Sequence, residues 1–379
     1  MATESTTRGL EGIVLTSTRL SQIDGEHGRL GYVGYDIHEL AEQAQFEEIC
    51  WLLWHSELPS RSELQEFRAR LAMEYQLSSA EQALVDGLPS VGHGMDALRT
   101  LASGLAQLDP QADATDPAAV ERIGYRLIGK LPALLSAWDR RRRGLPGAAA
   151  DAQQSHAANI LLMLHGQQPS AAAVQALNTY MVLLAEHGLN ASTFAARVAI
   201  SAHTDVYAAI VAAIGTLKGL LHGGANQKAM ESFIAIGSPD RAAGYIEELL
   251  AQHGRLMGVG HRIYKVADPR AGHLRQQLEL LEGPHGRWGS IADRVAAIVA
   301  EHPYFVARQL NPNVEFGSAP LLGALGIPLD LFTAMFAFSR TAGWIAHIRE
   351  QLAENRIIRP KADYHGPRER HFDPLEWRN

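Results

Sequence analysis

Two segments of this chain are apolar or small on every side: "DVYAAIVAAIGTLKGLL" (205–221) and "LDLFTAMFAFSRTAGWIAHIREQL" (329–352). A helix with no polar face has to be covered all round, so it belongs in the middle of a large helical protein. Lys218 and glycines break the first segment, and no run approaches the roughly 18 apolar residues of a membrane span. The few polar residues on these helices therefore carry weight. Arg340 and His347 are seven residues apart with Gly343 between them, which sets all three on one helical face. A buried arginine there needs an anion, from the protein or from a ligand.

The rest of the chain fits an all-α reading. "IHELAEQAQFEEICWLLWHSEL" and "SRSELQEFRARLAMEY" repeat apolar residues at helical spacing and carry charge on the other face. Only "GIVLTSTRLSQIDGEHGRLGYVGYDI" mixes β-branched and aromatic residues around glycines, which predicts a short β-hairpin near the N-terminus. The 379 residues allow two domains or one large one. A formal charge of -7 removes the electrostatic basis for nucleic-acid binding and leaves small-molecule chemistry as the starting class. One cysteine, Cys50, excludes an internal disulfide and suits a reducing, cytoplasmic setting, where it reads as a small buried hydrophobe. No histidine or acid spacing suggests a metal site. The run Arg140–Arg143 could meet a phosphate but is read as a solvated helix end.

Four stretches hold residues suited to chemistry. "GLLHGGANQKAM" (219–230) places His222 between a helix ending near Leu221 and one starting near Ala225. A helix N-terminus disfavours imidazolium and keeps such a ring neutral. The glycines after it either let a ligand approach or make a sharp turn. "GVGHRIYKVADPRA" (258–271) frames His261 with glycine and adds Arg262, Lys265 and Arg270, a pattern for an anionic ligand but not a dinucleotide fingerprint. In "NPNVEFGSAPLLGALGIP" (311–328) Glu315 is the only acid, either a general base with raised pKa or a paired core carboxylate. The fourth is the Arg340/His347 face. Together these are acid/base groups and anion clamps, the equipment for enolising a carbonyl compound and adding it to a polyanionic electrophile.

With "HGMDALRT", "EHGLNASTFAARV", "LHGGAN", "GHRIYKVADPRA", "PNVEF", "LGIPLDLFTAMFAFSRTAGWIAHIREQ" and "RIIRPKADYHGP" in this order, the chain resembles the citrate synthase family over nearly its whole length. The resemblance implies an almost wholly helical fold in which a small domain at about 222–325 interrupts a large one formed by 1–221 and 326–379. His222 would donate to the thioester carbonyl of acetyl-CoA, Glu315 would take the methyl proton, and His261 would protonate the oxaloacetate carbonyl. His187, Arg270 and Arg340 would hold the oxaloacetate carboxylates, with Arg359 reaching across a homodimer interface. Met257, Gly258, Val259 and Gly260 would lie against adenine, and Lys265 and Lys361 would face CoA phosphates. Oxaloacetate and acyl-CoA are the implied partners, with no cofactor or metal.

Two positions depart from the family pattern. "VEFGSA" stands where an aspartate and a bulkier following residue are usual, so the base gains a methylene and Gly317 must give it room. Val33 of "GYVGYD" replaces a usual arginine and bears on N-terminal packing. The nearest alternative is 2-methylcitrate synthase, which uses propionyl-CoA; others are a catalytically weak oxaloacetate- or CoA-binding relative and a thioester hydrolase.

Overall fold

A computed structural model describes residues 8–10, 12–260 and 263–378. Three short antiparallel strands, β1 (Ser21–Asp24), β2 (Arg29–Tyr32) and β3 (Tyr35–Asp36), pair with Ser21 opposite Tyr32 and Gly31 opposite Asp36. The expected hairpin thus gains a third strand. It is joined through Val33 and Gly34, both at positive φ (50° and 88°), as a tight two-residue turn requires. For a β-branched residue that conformation is strained.

The helices are α1 (Ile37–Gln43), α2 (Phe46–His55), α3 (Arg61–Glu74), α4 (Ser79–Gly87), α5 (Gly94–Gln107), α6 (Pro117–Arg142), α7 (His156–His165), α8 (Ala171–Leu184), α9 (Ala191–Ser201) and α10 (Val206–Leu217). They continue with α11 (Gly224–Ile236), α12 (Ala242–Ala251), α13 (Ala271–Glu282), α14 (Arg287–Glu301), α15 (Pro303–Val306), α16 (Val314–Ala324) and α17 (Phe332–Ala353). Their starts follow capping rules: Ser60 with Glu63 and Ser78 with Glu81 form capping boxes, and Asp205 accepts from the Ala208 N–H at 2.8 Å. Among the described residues no helix is long and apolar enough to cross a membrane. Helices α11, α13 and α14 pack on α16, while α17 packs on α2, α6, α8, α9 and α10. Contacts of α13 and α16 with α8, and of α11 with α17, join the two groups.

As expected from its composition, α17 is the buried axis, with unbroken burial from Leu331 to Ile348. One face of it seats the end of α8 and the residues that follow. Arg340 donates from Nε to the Leu184 carbonyl at 2.7 Å, and His347 Nε2 lies 3.0 Å from Glu186 Oε1. Between them Gly343 leaves no room for a side chain, since a Cβ would meet the Ala185 carbonyl and lie 2.5 Å from Glu186 Oε2. Tyr32 of β2 holds the same segment from the other side, donating toward the carbonyls of Leu183 and Glu186. Gly343→Ala is therefore expected to destabilise the fold by about 1–3 kcal/mol, read from the midpoint of denaturant unfolding.

Arg140–Arg143 correct one expectation. Rather than forming a solvated helix end, Arg140 is buried and donates to the carbonyls of Pro146 (2.6 Å) and Leu164 (3.0 Å), and Arg141 donates to the Leu88 carbonyl. Arg142 binds Asp330 through both terminal nitrogens (2.7 and 2.9 Å), and Arg143 pairs with Asp139. These cations tie the end of α6 to neighbouring loops. Cys50 is a buried free thiol, and burial raises its pKa well above the ordinary value.

Candidate active site

His222 sits in the turn between α10 and α11, just before the helix start at Gly224, one residue from the expected Ala225, whereas α10 ends at Leu217 rather than near Leu221. The turn is tight for a local reason. A Cβ on Gly223 would lie 2.7 Å from the Leu217 carbonyl oxygen, and one on Gly224 would lie 3.1 Å from that of Lys218. Both glycines thus let the chain fold onto the end of α10. The ring packs edge-on to Phe336 of α17 with centroids 6.1 Å apart, and Nε2 lies 2.8 Å from Ser192 Oγ. Burial, reinforced by the charge of Arg340, lowers its pKa to about 4, so the imidazole is neutral at physiological pH.

Arg340 is 1% exposed, and no carboxylate forms an ion pair with it among the described residues. Burial pulls its pKa down to about 10, against the opposing influence of Glu186. One oxygen of Glu186 is engaged elsewhere: Oε1 is bonded by His347, Ser21 Oγ (3.0 Å) and the Gly188 N–H (2.5 Å). The next residue, His187, is buried in the loop between α8 and α9 and lies 3.0 Å from the Tyr264 hydroxyl through Nε2.

Arg270 stands at the start of α13 and is 2% exposed. Asp268 grips it from two sides, accepting from Nε at 2.9 Å and from Nη2 at 2.7 Å. Burial works against the guanidinium charge, but Asp268 outweighs it and raises the pKa. Glu315 lies in the first turn of α16, where the Asn313 side chain accepts from its N–H at 3.1 Å. Burial raises the Glu315 pKa above the ordinary carboxylate range, while the positive charges of Arg270 and Arg340 oppose the shift. Arg270 and Arg340 are therefore near enough to influence the ionisation of Glu315, and Arg340 that of His222.

Asn313 also ties this helix to the Gly-framed loop. Its Nδ2 donates to the Gly260 carbonyl at 2.8 Å, and its N–H to that of Gly258 at 3.0 Å. The Gly260 N–H donates to Asn311 at 2.7 Å, and Val259 bridges to Pro312. Gly258 (φ 84°) and Gly260 (φ 91°) adopt a conformation that favours glycine, and a Cβ on Gly258 would lie 3.1 Å from the backbone of Phe316. Met257 is partly buried beside them. His261 lies outside the described residues.

Three other expected residues stand apart from this cluster. Lys265 is exposed and ion-paired with Glu26 in the β1–β2 turn, while its backbone N–H donates to the Gly25 carbonyl at 3.0 Å. Arg359 and Lys361 are exposed in the C-terminal segment. Arg359 lines a groove of about 660 Å³ with Arg19, Arg197 and Glu350. Among the described residues no group of three or more His, Cys, Asp or Glu side chains could hold a metal ion.

Sequence reasoning passed over Ser192, Asn190, Tyr264, Asp268, Asn313 and Trp344. Their signal was membership in the quoted motifs, without any chemistry of their own to mark them. What the cluster offers is a neutral imidazole, a carboxyl with raised pKa and two buried guanidiniums, Arg270 paired with Asp268 and Arg340 with no carboxylate partner among the described residues. That set can move a proton at carbon and hold a small dianion.

The family model described as "Citrate synthase, C-terminal domain" matches residues 9–361. Citrate synthase 2 of Bacillus subtilis (strain 168) is 44% identical over 378 residues, covering 98% of this chain and 99% of that protein. 2-Methylcitrate synthase 2 of Corynebacterium glutamicum is 37% identical over 378 residues, covering 98% and 97%. Among solved structures, citrate synthase from the archaeon Thermoplasma acidophilum, in ternary complex with carboxymethyl coenzyme A and oxaloacetate, superposes with a TM-score of 0.93. Its identity is 30%, over 99% of this chain and all of that one. The chain belongs to the citrate synthase family of acyltransferases.

Proposed function

We propose that this protein condenses acetyl-CoA with oxaloacetate and water to give citrate and CoA. The observation that carries this reading is the placing of a buried guanidinium, Arg340, which has no carboxylate partner among the described residues, within electrostatic reach of a carboxyl with raised pKa, Glu315, and a neutral imidazole, His222. Glu315 takes a proton from the acetyl methyl group while His222 donates a hydrogen bond to the thioester carbonyl, so the developing enol is stabilised at both ends. Arg340, Arg270 and His187 hold the oxaloacetate carboxylates and aim its carbonyl at the enol. His261 protonates that carbonyl as the carbon–carbon bond forms, and hydrolysis of citryl-CoA makes the sequence irreversible. The chemistry calls for no cofactor beyond the CoA thioester itself.

Residues 222–325 act as a small domain that closes over the substrates and excludes water. The mutual packing of α11, α13, α14 and α16 supports this division. Within it, Gly317 accommodates the longer glutamate: a Cβ there would lie 3.1 Å from Leu274 Cβ, so its absence lets α16 rest against α13. Met257–Gly260 receive the adenine, and Lys265 and Lys361 the CoA phosphates. The working form is a homodimer in which Arg359 serves the partner's site. Exposed apolar residues along the C-terminal segment, Ile357, Phe372, Leu375 and Trp377 among them, support a second copy as their cover. A cytoplasmic setting agrees with the single free thiol.

Acetyl-CoA and propionyl-CoA differ by one methylene, worth about 1–3 kcal/mol of discrimination in an apolar pocket. With saturating oxaloacetate, kcat/KM for acetyl-CoA is expected to exceed that for propionyl-CoA by about tenfold or more, measured as thiol release. The reverse preference would make the protein a 2-methylcitrate synthase.

A further inference from the structure

Three groups converge on the Ser192 hydroxyl, which offers one hydrogen and two acceptor positions. Trp344 Nε1 lies 3.2 Å from Oγ, His222 Nε2 2.8 Å and Asn190 Oδ1 2.8 Å. The indole can only donate, so it fills one acceptor position. Asn190 Oδ1 can only accept, and its amide is held in this orientation: the same oxygen accepts from the Thr193 N–H at 3.1 Å, while Nδ2 donates to Thr193 Oγ1 at 2.9 Å and to the Gly188 carbonyl at 3.2 Å. The serine hydrogen therefore points at Asn190. The remaining acceptor position takes Nε2–H of His222, and Nδ1 keeps a bare lone pair with no partner among the described residues.

That is the wrong tautomer for polarising a carbonyl. Ser192 occupies Nε2, so a ligand meets Nδ1, which must carry a hydrogen in order to donate. The competent arrangement needs one rotation and one exchange. Ser192 Oγ–H swings from Asn190 to His222 Nε2, the hydrogen on Nε2 leaves to water, and water returns one to Nδ1. The ring is neutral before and after the exchange and carries a charge only in passing between the two tautomers. Asn190 opposes the swing, and its Nδ2 also contacts the His187 carbonyl at 3.5 Å.

We propose that Asn190 is a positioning residue that couples the oxaloacetate-binding loop to the tautomer of His222, with the Ser192 hydroxyl as the moving part. The inference rests on the reading of His187 as an oxaloacetate ligand and of His222 as the donor to the thioester. Oxaloacetate drawing on His187 shifts the 187–190 loop and loosens the hold of Asn190 on Ser192. His222 then becomes a donor only when the acceptor substrate is in place, which keeps acetyl-CoA from being enolised alone.

The test is ¹⁵N NMR of histidine-labelled full-length protein, with His222 assigned through His222→Gln. Wild type without ligand is expected to show the Nε2–H tautomer, moving to Nδ1–H on saturation with oxaloacetate. Asn190→Ser keeps an N-cap acceptor but lacks the amide. It should show Nδ1–H before any oxaloacetate is added. Solvent deuterium should then enter the acetyl-CoA methyl group without oxaloacetate about tenfold faster than in wild type, as when one ordinary hydrogen bond sets the tautomer. Wild-type His222 already Nδ1–H without ligand, or unmoved by oxaloacetate, would overturn the inference, and this arm stands even if the variant does not fold. A variant that only loses thermal stability, with the wild-type tautomer retained, would overturn it too. The NMR readout needs no turnover: a tautomer shift without CoA release would preserve the coupling and reject the proposed reaction, and CoA release without a shift would do the opposite.

Discussion

Glu315→Gln is expected to lower kcat for oxaloacetate-dependent CoA release by about a thousandfold while leaving the KM for oxaloacetate nearly unchanged. Glutamine keeps the shape and the start of α16, where the Glu315 N–H is held by Asn313, but cannot accept a proton from carbon. The remaining enzyme still orients both substrates, so some activity persists. Because burial raises the Glu315 pKa and only the ionised form is a base, kcat/KM should fall as pH drops through that raised value. The stability effect runs the other way. A carboxyl whose folded pKa lies above its unfolded one contributes stability below the unfolded pKa and loses it as pH rises through the folded pKa. At neutral pH the ionised group therefore weighs against the fold, and Glu315→Gln should keep or raise the melting temperature. Glu315→Asp shortens the reach by about 1 Å and should cost on the order of a hundredfold in kcat if α16 is set for glutamate. An aspartate variant faster than wild type would contradict the role assigned to Gly317.

Arg340→Leu should raise the KM for oxaloacetate about a hundredfold, the scale of one lost charge-assisted contact to a carboxylate. Its stability effect separates a ligand clamp from a structural cation. Removing one partner of a buried ion pair costs about 3–5 kcal/mol because the other charge is left behind. Among the described residues Arg340 has no such partner: it is 1% exposed, donates to the Leu184 carbonyl, and Oε1 of nearby Glu186 is already bonded to His347, Ser21 and Gly188. Leucine fills similar space without the desolvated charge. The melting temperature without ligand should therefore hold or rise, while the stabilisation conferred by oxaloacetate should disappear. Comparing thermal unfolding of the two proteins with and without oxaloacetate reads both effects at once. A sharp drop in the ligand-free melting temperature would instead make Arg340 a structural residue.

Much of this was legible in the chain because its strongest patterns are local. The all-apolar segments at 205–221 and 329–352 became α10 (Val206–Leu217) and the axial α17 (Phe332–Ala353), and the turn holding His222 fell between helices as its glycines suggested. Local patterns say less about partners distant in sequence. Arg140–Arg143 looked solvated because the carbonyls of Leu88, Pro146 and Leu164 and the Asp330 carboxylate that bind them are brought in by other loops. Lys265 likewise gave no sign of Glu26, which reaches it across 239 positions. Ser192 meets His222, 30 residues beyond it and unrelated to it by any helical spacing, and Trp344 reaches the same hydroxyl from another helix. The glycines after His222 let the chain turn tightly onto the end of α10, one of the two roles the sequence left open for them.

The most direct test of the proposed reaction is to incubate the purified protein with [¹³C]acetyl-CoA, with and without oxaloacetate, following free thiol and labelled product together. One labelled citrate formed per CoA released, with negligible release when oxaloacetate is omitted, is the expected result. CoA released as labelled acetate without oxaloacetate would identify a thioester hydrolase, and no release despite measurable oxaloacetate binding would mean that the cluster around Glu315 binds without catalysing.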